Sequence, residues 1–151
     1  MNRPETRGKP ALTMGELDSF LRAEFPQMLN GRNGLSIEEI WHGGAQVRQA
    51  FREAFIRPGG TISGPTMMTL ADVAMYIAVL TAIGPVPLAV TTQLSINFLR
   101  KPAAADLVAE AELMKLGKRL AVGEVAIRSA GSADLVAHAT STYSIPQPQD
   151  G

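Results

Sequence analysis

The chain has 151 residues, 14 basic against 14 acidic side chains and a net charge of zero, so no overall field draws it to nucleic acid or to an anionic membrane. It contains no cysteine, which excludes disulfides, thiolate nucleophiles and cysteine metal sites together and fits a reducing compartment. The length suits one domain with one core, and the polar, proline-bearing start MNRPETRGKP lacks the apolar stretch of a signal peptide, so the expected location is cytoplasmic.

In chain order, residues 1–12 read as a loose tail, because they carry too little apolar surface to offset ordering entropy. The expected domain spans 13–145 and opens with a helix over 13–30. Thr13 and Glu16 form a capping-box pair, and Leu17, Phe20, Leu21 and Phe25 recur at helical spacing, while Pro26 weakens the last turn. Gly31 and Gly34 bracket a turn into LSIEEIW, His42-Gly43-Gly44 makes a tight turn, and AQVRQAFREAF returns as a second strand of a hairpin.

The stretch 57–84 organises the rest. A glycine-rich loop feeds a helix with Pro65 at its first position and a Gly84-Pro85 stop. Between them Met67, Met68, Leu70, Ala71, Val73, Ala74, Met75 and Ile77 to Leu80 leave almost no polar face, as in a helix wrapped on most sides. Its length approaches the roughly 20 residues of a membrane span. An Asp in the middle and well-patterned soluble sequence on both sides argue against one. From Leu88 to Phe98 the period switches to two, placing Leu88, Val90, Thr92, Leu94, Ile96 and Phe98 on one face and Thr91 on the other. Three further strands follow as a meander, with turns at Gly117-Lys118 and Gly131 to Asp134, and residues 146–151 form a second tail. The sum is an α+β domain, with a curved antiparallel sheet against one buried helix and an extra helix at the N-terminus. Such a sheet leaves edges and a half-covered surface, for which a two-fold homodimer is the commonest remedy.

Most enzyme classes lack support. The two histidines, His42 and His138, belong to no metal spacing, so no metal is expected. Nucleophile-elbow, P-loop and Rossmann glycine patterns are absent, and the basic pairs Arg100-Lys101 and Lys118-Arg119 lack the interleaved aromatics of a nucleic-acid surface. What remains is Asp72, the only charge on the helix. A carboxylate there is either structural, satisfied by backbone N–H groups or by Thr69 one turn back, or it does chemistry. The helix start beside the glycine loop offers N–H donors for an oxyanion, but lies about 10 Å along the axis from Asp72 at roughly 1.5 Å per residue. An acid from one subunit meeting the helix start of another would close that gap.

The sequence GGTISGPTMMTLADVAMYIAVL followed by TTQLSINFLRKPA resembles the hotdog-fold acyl-CoA thioesterases related to the phenylacetic-acid-degradation protein PaaI, over roughly residues 35–145. Leu70-Ala71-Asp72-Val73-Ala74 matches that family's L-x-D-x-A, and Phe98 to Pro102 matches F-L-R-P with one inserted Lys. The resemblance implies a hotdog fold and hydrolysis of a small or medium acyl or aryl-CoA thioester across a dimer interface, in a homodimer or homotetramer, with no cofactor beyond the CoA of the substrate. It assigns Asp72 as base or nucleophile, Gly64 as oxyanion donor and Thr91 as a hydroxyl that positions water. Arg57, Ser63, Pro65 and Thr69 would line the substrate site, and Arg100 and Lys101 would meet the CoA phosphates. Two features depart from the family: Ser63-Gly64-Pro65 stands where relatives carry H-G-G, and Arg57 stands where they carry Asn or Gln. The alternative is therefore a hotdog domain that binds acyl-CoA without turning it over.

Overall fold

The central helix ends where its boundary residues dictate. In a computed structural model describing residues 7–29 and 31–147, helix α2 runs Gly64–Ile83, with Ser63 as N-cap and Gly84 closing it at a positive φ of 89°. Pro65 is thus the second helical residue, still within the first turn, where its missing N–H costs no helical hydrogen bond. By length and composition α2 could cross a bilayer, but it is the core helix: Leu70, Ala71, Ala74, Met75 and Ile77 to Leu80 are fully buried.

The sheet that buries them has six antiparallel strands in the order β1-β2-β6-β7-β8-β5. The strands are β1 (Leu35–Trp41), β2 (Gly44–Gln49), β5 (Val90–Phe98), β6 (Leu107–Leu116), β7 (Leu120–Ser129) and β8 (Leu135–Ser144). A two-residue pair, β3 (Ile56–Arg57) and β4 (Thr61–Ile62), leads into α2. Every second residue of β6, β7 and β8 turns to the helix, including Leu107, Ala109, Ala111, Val125, Ile127, Ala137, Ala139 and Tyr143. At Gly123 the helix comes so close that a Cβ would lie 2.8 Å from the sulfur of Met75. This is the curved sheet around a central helix that the sequence led us to expect.

Four local expectations need correction. Helix α1 is Met14–Glu24, with the Thr13 and Glu16 capping box in place; it stops short of residue 30 because the chain approaching Pro26 leaves helical geometry. Strand β2 stops at Gln49, and Glu53–Phe55 form a 3₁₀ turn instead of extending it. The break follows from Asp106, whose carboxylate accepts the Phe51 N–H at 2.8 Å and Arg48 Nε at 2.9 Å. Strand β5 begins at Val90, leaving Leu88 three-quarters exposed.

The fourth concerns the N-terminal tail. Residues 1–6 and 148–151 lie outside the described residues, but residues 7–12 pack on the domain. Leu12 is buried, Ala11 N–H donates to the Thr81 carbonyl at 2.7 Å, and His42 N–H donates to the Gly8 carbonyl at 2.9 Å. The Arg7 guanidinium stacks 3.5 Å over the Trp41 ring and pairs with Glu110 at 2.6 Å.

Candidate active site

The position of Thr91 is set by one irregularity in strand pairing. Along β5 and β8 the partners run Phe98 with Ala137, Ile96 with Ala139 and Leu94 with Ser141, all on the helix side. Simple alternation would continue to Thr92. A bulge between Thr91 and Gln93 inserts one extra residue, so Thr91 pairs with Tyr143 and turns to the helix. The Leu88, Val90 and Thr92 part of the expected apolar face is thereby overturned: Val90 and Thr92 are exposed and Ala89 is buried.

The bulge meets α2 at Asp72. Thr91 Oγ1 donates to Asp72 Oδ1 at 2.5 Å, and the Tyr143 hydroxyl donates to the same oxygen at 3.0 Å and to the Asp72 main-chain carbonyl at 3.2 Å. No protein donor among the described residues engages Oδ2. Tyr143 is almost fully buried, and burial, reinforced by the negative charge of Asp72, pushes its phenol far above the usual tyrosine range, against the opposing effect of the Thr91 hydrogen bond. It is a neutral donor throughout the working range of pH. Its ring lies 6.0 Å from that of Tyr76, one turn beyond Asp72, and the Tyr76 ring lies 6.1 Å from Phe25 at the end of α1. Desolvation also raises the Tyr76 phenol, whose hydroxyl donates to the Pro87 carbonyl at 3.3 Å.

Asp72, Thr91 and Tyr143 open onto a cavity of about 360 Å³, with Thr69, Val73 and Tyr76 from α2 and Phe25 and Met28 from the turn after α1 on its other walls. The wall is largely apolar, with hydroxyls and one carboxylate gathered at one place. Such an arrangement can hold an apolar group and take a proton beside it.

Of the residues singled out from sequence, this geometry gathers Asp72, Thr91 and Thr69. The others lie elsewhere in the same protomer. Gly64 is the first residue of α2 and packs against Phe98: a Cβ there would sit 3.2 Å from the ring. Ser63 Oγ pairs with Thr66 Oγ1 at 2.9 Å, and Pro65 is exposed beside them. Gly64 and Asp72 are eight helical steps apart, about 12 Å at 1.5 Å per residue. Arg57 is exposed on β3, and Arg100 and Lys101 are exposed beyond the Phe98 end of β5, opposite the Thr91 end. Among the described residues no three His, Asp or Glu side chains come together as metal ligands; His138 instead faces Glu124 at 3.1 Å. Sequence reasoning missed Tyr143 and Tyr76. The available signal was that these are the only two tyrosines of the chain, one on an apolar helix and one in a strand of small residues.

Comparison with known proteins identifies the fold and the family. The family model described as the thioesterase superfamily matches residues 59–136, which contain the loop, α2, β5, β6 and β7. A crystal structure from a Silicibacter species, named a thioesterase, superposes with a TM-score of 0.82 at 40% identity, covering 97% of this chain and 100% of that one. A mutant of the phenylacetic acid degradation protein PaaI from Thermus thermophilus gives 0.70 at 30% identity, covering 80% of this chain and 99% of the other. A protein of Saccharolobus solfataricus that carries an esterase name is 29% identical over 134 residues, which are 89% of this chain and 86% of that relative. With its sheet wrapped around a helix of matching motif, this chain belongs to the thioesterase superfamily and is a hotdog-fold, PaaI-like thioester hydrolase.

Proposed function

We propose that the protein hydrolyses a small or medium acyl or aryl-CoA thioester to the free acid and CoA, with Asp72 as general base and the site shared between two copies of the chain. The observation that carries this reading is the Asp72 carboxylate held at one oxygen by Thr91 and Tyr143 on the wall of an apolar cavity. Asp72 takes a proton from water, and the water oxygen bonds to the thioester carbonyl carbon. The resulting oxyanion accepts a hydrogen bond from the N–H of Gly64 of the second copy, at the positive end of its helix. Collapse breaks the carbon–sulfur bond, and the thiolate leaves with the proton that Asp72 held.

Strand β5 supports the shared site. It is an edge strand of nine residues with no charge, proline or glycine, and its exposed apolar side chains include Val90 and Phe98 at 57% and 50%, flanked by Leu88 and Leu99. Gly64 packs at its Phe98 end, and Asp72 is bonded at its opposite, Thr91 end. Two-fold antiparallel pairing of β5 with its copy lays each Phe98 end beside the other's Thr91 end, bringing Gly64, Ser63, Pro65, Arg100 and Lys101 of one copy towards Asp72 of the other. Arg57 follows in the same loop region, so the cations for a CoA phosphate would come from across the interface.

The test is release of free CoA from aryl, short-chain and medium-chain acyl-CoAs by the wild type and Asp72→Asn, which keeps the shape and removes the base. The reading predicts wild-type turnover that falls by about 10²–10⁴ in the variant. Acyl-CoA binding without CoA release in the wild type would overturn it in favour of a binding domain.

A further inference from the structure

Both hydrogen bonds that restrain the Asp72 side chain converge on Oδ1 and leave Oδ2 without a protein partner among the described residues. The family resemblance gives Thr91 a role of its own in the hydrolysis proposed above; it gives Tyr143 none. Yet its hydroxyl is the buried one, on a residue of β8 paired with Ala121 of β7 and Thr91 of β5, and it bridges the Asp72 carboxylate and the Asp72 main-chain carbonyl. A group that bonds both to a residue's backbone and to its side chain fixes the torsion between them.

We infer that Tyr143 is a positioning residue, whose hydroxyl locks the Asp72 carboxylate in one rotamer and commits Oδ1, so that Oδ2 is the oxygen that receives the proton from water. The physical need follows from location. A carboxylate on a mid-helix residue facing a cavity has free space and more than one staggered well, and a displacement of about 1 Å in a reacting group can cost on the order of 10²-fold in rate. Thr91 alone restrains one oxygen from one side and leaves rotation about that contact open. Tyr143 adds the second point of attachment. The two donors also occupy the lone pairs of Oδ1, which leaves those of Oδ2 for the incoming proton. Towards Asp72 the phenol acts as a donor, since burial keeps it protonated.

This inference rests on the hydrolase reading for its kinetic consequence but not for its geometric one, and the experiment separates the two. Crystal structures of the wild type and Tyr143→Phe compare the Asp72 carboxylate directly, and steady-state CoA release gives kcat and KM for both. The expected result is an Asp72 side chain in more than one orientation in the variant, a kcat lowered by about 10- to 100-fold and a KM changed less than about twofold, as befits an interaction made at the reacting group. Tyr143→Phe keeps the ring in the wall, and a melting curve confirms that it folds. The inference is overturned by an Asp72 carboxylate that keeps its single wild-type orientation in the variant, or by a kcat within about twofold of wild type. If the wild type hydrolyses no thioester, the hydrolase reading fails, while the comparison of orientations still decides the role of Tyr143.

Discussion

Thr91 and Asp72 share a 2.5 Å hydrogen bond because β5 carries one residue more than its partner between Thr91 and Gln93. Restoring plain alternation would turn the Thr91 hydroxyl to the outer face and leave Asp72 with one donor from the sheet. The bulge is therefore the feature that converts a strand next to a helix into the wall of a site.

Thr91→Val removes the donor at nearly constant volume, although burying a methyl in place of a hydroxyl also changes polarity. We expect kcat for CoA release to fall by about 10- to 100-fold, with Thr91→Ser, which retains a hydroxyl, recovering most of the loss. Steady-state kinetics on the two variants checks this; equal losses in both would assign Thr91 to packing.

Gly123→Ala tests how closely the helix approaches the sheet. The added Cβ would lie 2.8 Å from both the Met75 thioether and the Glu112 carbonyl oxygen, and the second is backbone that cannot rotate away. A loss of about 1–3 kcal/mol in stability is expected from overpacking, read as a lower midpoint in urea with an unchanged slope.

Acid sensitivity should trace in part to Asp106. The hydrogen bond from the Phe51 N–H, joined by the Arg48 side chain, holds its carboxyl below the usual aspartate range in the folded protein. The unfolded chain therefore binds the proton at higher pH than the folded one, so this contribution is present above about pH 4 and fades as pH falls through the folded value. The group is near the surface, so its worth is at most about 1 kcal/mol. Melting temperatures from pH 7 to pH 3 should fall less steeply for Asp106→Asn than for the wild type.

The parts of this molecule that were legible in the sequence are those with local causes. An unbroken apolar stretch between Pro65 and Gly84 marks α2, alternation marks β6 to β8, and a lone charge on an apolar helix marks Asp72. The role proposed for Gly64 comes from family resemblance, since nothing local distinguishes its N–H from that of any helix start. What stayed hidden depends on partners far apart in the chain. Tyr143 reaches Asp72 across 71 positions, Asp106 ends β2 across 55, and the Arg7 contact with Trp41 gives order to a segment whose composition reads as a tail. The bulge is of the same kind, because an extra residue in one strand is defined only by its neighbour.

The central claim is that Asp72 of one copy works with Gly64 of another, and mixed dimers test it most directly. Asp72→Asn and Gly64→Pro, which deletes the N–H at the first position of the helix without costing it a helical hydrogen bond, should each be inactive alone as homodimers. Unfolded together and refolded in equal amounts, half of the dimers carry one copy of each, and in those one site combines an intact Asp72 with an intact Gly64. Recovery of about a quarter of the wild-type rate of CoA release is the predicted result. No recovery, with mixed dimers demonstrated by mass, would contradict the shared site.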